Sequence, residues 1–263
     1  MFIGINVLSS VAFLQIGKCG GTTINSNLKK NNIKFKHFHL GRLPLKRRKN
    51  KRMVKIISFV RHPVDRFISA FEMAKNVHSF ELNGLHVDQL NLSNCPAPVR
   101  LKRKFKKSMP YTFNPLYDSL LDYFSDANHL AESLYSKDFN ARNAARVFMN
   151  LPQEHLFKGI GWYFYNGALV RSRGEELFFV GRLEHLNYDF NVLTCRLGIQ
   201  SRQSESTGKK THLRKANSAK KCLLTSEGRA NVIKWYEPTD YSALIALERG
   251  GYLTSDDLNF YYQ

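Results

Sequence analysis

Acidic residues are scarce in this chain of 263 residues: 21 Asp and Glu stand against 40 Lys and Arg, a formal charge of +19. No acidic cluster of the kind that holds magnesium or calcium stands out, so no metal is expected. The excess positive charge instead favours phosphates, sulfates, anionic glycans, nucleic acids or acidic lipids as partners. Cysteine is sparse too. Cys19, Cys95, Cys195 and Cys222 lie far apart, with neither a C-x-x-C pair nor a Cys/His spacing that suits zinc, and they read as reduced thiols. Nothing approaches the run of about 18 apolar residues that a membrane span needs. The apolar opening from Phe2 to Ile16 has no Lys or Arg before it and is interrupted by Asn6, Ser9 and Ser10. It therefore reads as a buried first strand rather than a secretory signal, and a soluble, cytoplasmic protein is expected.

What is present is an ordinary globular composition, 43% hydrophobic and 13% aromatic, enough for a sizeable core. Val11 to Ile16 is apolar and ends in Gly17-Lys18-Cys19-Gly20-Gly21-Thr22-Thr23, after which Ile24 and Leu28 recur at helical spacing: strand, glycine loop, helix. Ile33 to Phe38 reads as a second strand. Val54 to Val60, rich in β-branched residues, reads as a third, stopping at Arg61-His62-Pro63, where proline and Asp65 favour a helix start. Leu177 to Val180 is a further strand. Phe190, Leu193 and Leu197 make a helical stripe closed by Gly198. Two helices are expected at the end, about Ser226 to Tyr236 and Tyr241 to Arg249, divided by Pro238 and stopped by Gly250-Gly251. The alternation predicts an α/β fold: one P-loop-like domain over 1–263, a parallel sheet flanked by helices, with a mostly helical insertion over about 85–177. Ligands of such sheets sit at the carboxyl ends of the strands, where both the glycine loop and Arg61 fall.

Glycines that admit close backbone approach, free N–H groups at a helix start, hydroxyls and a lysine are the parts of a phosphate cradle. The loop is not a Walker A sequence, because Lys18 precedes Gly20 and Gly21 instead of following the last glycine. A glycine turn without a ligand is the plainer reading of this segment alone. Further on, Arg61 at a strand end and Ser69 two helical turns along can converge on one anion, with a guanidinium fork and a hydroxyl sharing its oxygens. Arg66 suits a carboxylate partner or a role in the fold.

Together, Lys18-Cys19-Gly20-Gly21-Thr22-Thr23 and Arg61-His62-Pro63-Val64-Asp65-Arg66-Phe67-Ile68-Ser69-Ala70-Phe71 resemble the two cofactor-binding signatures of carbohydrate sulfotransferases. These enzymes use 3'-phosphoadenosine 5'-phosphosulfate (PAPS), and the similarity is to the group of heparan sulfate 2-O- and 6-O-sulfotransferases and their bacterial relatives. Phe179 to Leu186 with Asp189-Phe190, and Trp235-Tyr236 to Asp240-Tyr241, are similar to later segments of that family, whereas Leu85 to Leu177 carries no motif of it. His62 departs from the pattern, which often has aspartate there.

The resemblance implies sulfuryl transfer from PAPS, released as PAP, to a hydroxyl of a carbohydrate or glycoconjugate. It assigns the 5'-phosphosulfate to Lys18, Cys19, Gly20, Gly21, Thr22 and Thr23, and the 3'-phosphate to Arg61 and Ser69. Lys18 then stabilises charge on the bridging oxygen that leaves. Relatives place a histidine or a glutamate as the base that takes the acceptor's proton. His39, after the second strand and between the two signatures, matches that histidine; His37 is the reserve and Glu72 the carboxylate alternative. The basic runs Lys46 to Arg52, Arg100 to Lys107 and Lys209 to Lys221 suit an anionic acceptor or are solvated faces, and Lys215 and Asn217 occupy a loop where relatives make further cofactor contacts. A P-loop small-molecule kinase and a non-enzymatic polyanion binder are the competing readings. The first lacks an evident Walker B aspartate and the second rests on charge alone.

Overall fold

The computed structural model describes residues 10–39, 41–47, 53–83, 100–101, 111–112, 115–151, 154–199 and 223–263. Most of Arg100 to Lys107, the 201–221 segment with Lys215 and Asn217, Arg48 to Arg52, and Cys95 and Cys222 lie outside these. In chain order the elements are β1 (Ser10–Gln15), α1 (Gly21–Lys30), β2 (Phe35–His39), β3 (Val54–Val60), α2 (Pro63–Asn83), β4 (Arg100–Leu101), β5 (Tyr111–Thr112), α3 (Pro115–Tyr123), α4 (Ala127–Ser133), α5 (Phe139–Asn150), α6 (Glu154–Phe157), α7 (Ile160–Phe164) and α8 (Ala168–Arg173). They continue with β6 (Leu177–Arg182), α9 (Leu186–Arg196), α10 (Ser226–Tyr236), α11 (Ser242–Arg249) and α12 (Ser255–Tyr262). No helix among the described residues is long and apolar enough to cross a membrane.

The chain packs as two compact units, one of residues 1–67, 152–221 and 232–263, the other of 68–151 and 222–231. The first holds a four-stranded sheet in the order β2-β1-β3-β6, every pair parallel. Successive side chains of a strand point to opposite faces. One face buries Val11, Phe13, Ile57, Phe59 and Phe179 against Ile24 and Leu28 of α1 and Phe190 and Leu193 of α9. Alternation thus puts His37 and His39, opposite Phe13 and Gln15 in register, on that face as well. Gly181 is required by close approach, since a Cβ there would meet the Phe59 ring at 2.3 Å. On the opposite face the Ser58 hydroxyl donates to the Leu14 carbonyl at 2.8 Å.

Residues 154–177 belong to the unit of the sheet, where α7 and α8 bury Ile160, Phe164 and Leu169 beside α11. The expected break at Pro238 is instead a π-helical turn, Glu237–Tyr241, which carries α10 on into α11. Proline removes one N–H and crowds the carbonyl four residues back; a widened turn relieves both without ending the helix. A third terminal helix, α12, follows Gly250-Gly251 where only two were expected. Thr254 and Asp257 start it with a capping box, in which each side chain accepts from the other residue's backbone N–H.

The second unit is helical apart from the short antiparallel pair of β4 and β5. Leu121, Phe124, Leu130 and Phe148 are buried, with Phe124 stacked on Phe148 at 5.8 Å and Phe71 edge-on to Phe148 at 6.5 Å. Asp126 and Asp138 cap α4 and α5 by accepting from the N–H groups of His129 and Asn140, both at 2.8 Å.

Candidate active site

β1 lies between two parallel neighbours, so the loop that leaves it emerges from the middle of the sheet's carboxyl edge. Lys18 has φ 67° and Gly20 φ 73°, the latter forming the N-cap of α1. Left-handed backbone at a non-glycine residue costs roughly 1 kcal/mol, so Lys18 is held there by its surroundings. Those surroundings leave no room for side chains on the glycines. A Cβ on Gly17 would meet the His155 ring at 2.0 Å, on Gly20 the Leu183 side chain at 2.5 Å, and on Gly21 the Gln15 side chain at 2.3 Å. The N–H of Cys19 turns back to the Ile16 carbonyl at 3.4 Å, and α1 then begins with N–H groups that, as in any helix, have no partner four residues back. Among the loop's side chains, Lys18 and Thr23 are half-buried and Thr22 is exposed. Cys19 is buried, and burial pushes its thiol up to about 12 despite Arg66 and Arg61 nearby, so it is a core thiol and no nucleophile.

Arg61 follows β3, and its Nη1 donates to the Lys18 carbonyl at 3.4 Å. The two sequence motifs therefore meet. His62 does at the start of α2 what a capping aspartate does: its Nδ1 accepts from the Val64 N–H at 3.2 Å, while its own N–H donates to Glu184 at 2.7 Å. Arg66, in the first turn of α2, is fully buried. It pairs with Asp240 at 3.3 Å and donates to the His155 carbonyl at 2.6 Å, the carboxylate partner its sequence context suited. Asp240 also accepts from the Gly161 N–H at 2.9 Å, so the π turn, α6 and α7 are tied together behind the loop. Ser69 is half-buried on α2 and belongs to the second unit, as does Glu72.

On the other side of β1, at the edge strand β2, the imidazoles form a row. His37 stacks on Phe13 at 5.6 Å, His39 stacks on His37 at 5.9 Å, and His155 of α6 follows at 5.9 Å from His39. His37 Nε2 is bound to Gln15 Oε1 at 2.7 Å and is thereby occupied. His39 Nδ1 lies 3.5 Å from the Gln15 carbonyl, which accepts from it and leaves Nε2 as the basic nitrogen. Burial lowers the pKa of His39, and Lys158 lowers it further against the raising effect of that carbonyl. Burial, then His39 and Lys29, lower that of His37. His155 is held near 3, chiefly by burial and next by Lys18, so its ring is neutral. Its buried Nδ1 has no hydrogen-bond partner.

The sequence motifs did not reveal Gln15, His155 or Lys158 as parts of this edge. Gln15 was detectable in principle, since a parallel pairing that puts His39 beside it follows from two adjacent strands. His155 and Lys158 had no such signal, because they come from α6 and the residues after it, more than a hundred positions away.

At the β6 end, Arg182 is fully engaged: Asp189 accepts from its Nε at 3.0 Å and its Nη2 at 2.8 Å, and Asp257 accepts from Nη1 at 2.5 Å. Glu184, by accepting from His62, braces the loop that carries Arg61. The third sequence segment is therefore a support for the edge.

A parallel sheet with a glycine loop at its carboxyl edge, cations around that loop and an imidazole beside it defines an α/β protein with a cationic strand-end edge. The model of the Sulfotransferase family matches residues 8–238, and the chain belongs to that family. No curated protein and no solved structure matches the chain. Membership makes the chain a transferase of sulfuryl groups.

Proposed function

We propose that the chain transfers the sulfuryl group of PAPS to a hydroxyl of a carbohydrate or glycoconjugate acceptor. The observation that carries this reading is the meeting of the two signature segments, Arg61 Nη1 on the Lys18 carbonyl, with His39 on the neighbouring strand. In the proposed site the N–H groups at the start of α1, with Gly20, Gly21, Thr22 and Thr23, receive the 5'-phosphosulfate, Cys19 contributing through its backbone. Arg61 and Ser69 take the 3'-phosphate, Ser69 on the strength of the sequence resemblance.

In-line transfer moves negative charge onto the oxygen bridging sulfur and phosphorus. The Lys18 ammonium stabilises that oxygen as the bond to sulfur breaks. His39, neutral near pH 7 and with Nε2 open, removes the acceptor's proton as its oxygen bonds to sulfur. His37, whose Nε2 is bound to Gln15, holds the reserve position and orients the row.

The test is transfer of label from sulfur-35 PAPS to a panel of glycans, glycolipids and phenols, beside thermal-shift titrations with PAP, ATP plus magnesium, and a short polyanion. Stabilisation by PAP beyond that by ATP, and label on a glycan, is the expected result. Preferential stabilisation by ATP with magnesium returns the kinase reading; a response to the polyanion alone returns the binder.

A further inference from the structure

The amino edge of the sheet, the end away from the glycine loop, holds a cavity of about 410 Å³ lined by Arg47 and by residues 170–176, which close α8 and lead into β6. Glu176 fixes its place, since it precedes β6 and accepts from the N–H of Val54, the first residue of β3, at 3.4 Å. Strands of 6 or 7 residues put roughly 20 Å between this cavity and the loop that carries Lys18.

Arg47, Arg171 and Arg173 line the cavity with Glu175 and Glu176, an excess of one positive charge. The fold itself engages Glu176, which also accepts from Arg173 Nη2 at 2.6 Å, whereas Arg47 Nη1 stands 4.0 Å from its second oxygen. Arg173 is buried, with Nη1 donating to the Pro44 carbonyl at 2.9 Å, yet its Nε is buried without a hydrogen-bond partner. A guanidinium donor left unmatched in the interior is costly and marks a place for an acceptor. Arg171 is exposed, and its side chain makes no ion pair or hydrogen bond among the described residues. Val170 is the one apolar side chain of the lining, so the walls suit a polar anion. The volume falls within the range of small-molecule sites, roughly 300 to 1,000 Å³, and admits an oxyanion together with the organic body that carries it.

We propose that this cavity is a second ligand site, binding a small phosphate or sulfate monoester with its oxyanion on Arg47, Arg171 and Arg173 Nε and its polar body against Ser172 and Glu175. The site is separate from the donor and acceptor positions and does not depend on them. Pro44 and Arg47 lie on the connection from β2 to β3, and Pro44 is already tied to Arg173, so an anion held here fastens that connection to the end of α8.

The test uses the full chain saturated with PAP, which fills the donor cradle, and three probes: glucose 6-phosphate, glucose 6-sulfate and glucose. Calorimetry on wild type is expected to show at least one ester binding about tenfold or more tightly than glucose, and the tighter ester names the oxyanion. The preference is expected to disappear in Arg47→Ala/Arg171→Ala and to persist in Lys30→Ala/Lys137→Ala, which removes as much charge from exposed positions elsewhere. Glu175→Gln takes a negative charge from the rim and is expected to tighten the ester by about two- to threefold. Equal affinity for esters and glucose, an unchanged preference in Arg47→Ala/Arg171→Ala, an equal loss in Lys30→Ala/Lys137→Ala, or weaker ester binding by Glu175→Gln overturns the site. Failure of wild type to bind PAP would overturn the donor assignment instead, and the same comparisons run without PAP would still decide this site.

Discussion

The two flanks of the sheet's carboxyl edge use cations in opposite ways. At β6, Arg182 is enclosed by Asp189 and Asp257, and its charge is consumed in joining β6, α9 and α12. Around β1 and β2, Arg61 touches a backbone carbonyl, and Arg42 and Lys158 touch aromatic rings. The same residue type is a brace where a carboxylate meets it, and around β1 and β2 it is placed where the proposed function needs a binding group. Arg66 shows how close the two uses come. One helical turn past Arg61, it is fully buried and paired with Asp240, which makes it part of the frame.

The sharpest way to break this contrast is to remove His39, the proposed base. His39→Ala is expected to lower kcat by about 100- to 10,000-fold while PAP binds as before. The same loss in His37→Ala with His39→Ala unaffected would move the assignment by two residues. On the frame side, Asp240→Ala leaves the buried Arg66 guanidinium without its carboxylate. It is expected to lower unfolding free energy by about 3 to 5 kcal/mol, read from urea denaturation; a loss below about 1 kcal/mol would mean that Arg66 is solvated locally. Lys18→Ala is expected to cost roughly 100-fold in kcat with the melting temperature retained.

Two smaller effects concern protons. The acidic limb of the kcat profile reports the base, and burial with Lys158 lowers the pKa of His39, so the limb is expected below the ordinary imidazole value of about 6.5. Lys158→Ala removes a charge that opposes protonation and is expected to move the limb to higher pH; a limb that stays in place would separate Lys158 from the base. His155 is neutral in the fold with a pKa near 3, against about 6.5 when unfolded. Its contribution is full above 6.5 and is lost as pH falls toward 3, because the unfolded chain takes up the proton first. Wild type is therefore expected to lose stability between pH 6.5 and 5, above the carboxylate range, and His155→Phe to show a flatter profile there.

Much of this edge was legible in the sequence for local reasons. An apolar run that stops at Gly17 and a β-branched one that stops at Arg61 mark strands opening onto loops, and alternation in His37-Phe38-His39 puts both imidazoles on one face. Pro63 and Gly198 bound helices as their backbone constraints require. Pro238 misled, because a proline reads as a break and the π turn that absorbs it leaves no local mark. Lys158, Trp162 and His155 were silent for a different reason: what makes them part of the edge is the pairing of Arg66 with Asp240, a contact across the chain that periodicity does not encode.

The central claim is that the binding flank reads a nucleotide bearing both a 5' and a 3' anion, with Arg61 on the latter. Calorimetric titration of wild type and Arg61→Ala with PAP and with adenosine 5'-phosphate tests it directly. The expected result is a wild-type preference for PAP that falls by about 2 to 3 kcal/mol in the variant, with the 5'-phosphate ligand hardly affected. Equal losses for both ligands, or no preference in wild type, would contradict the account.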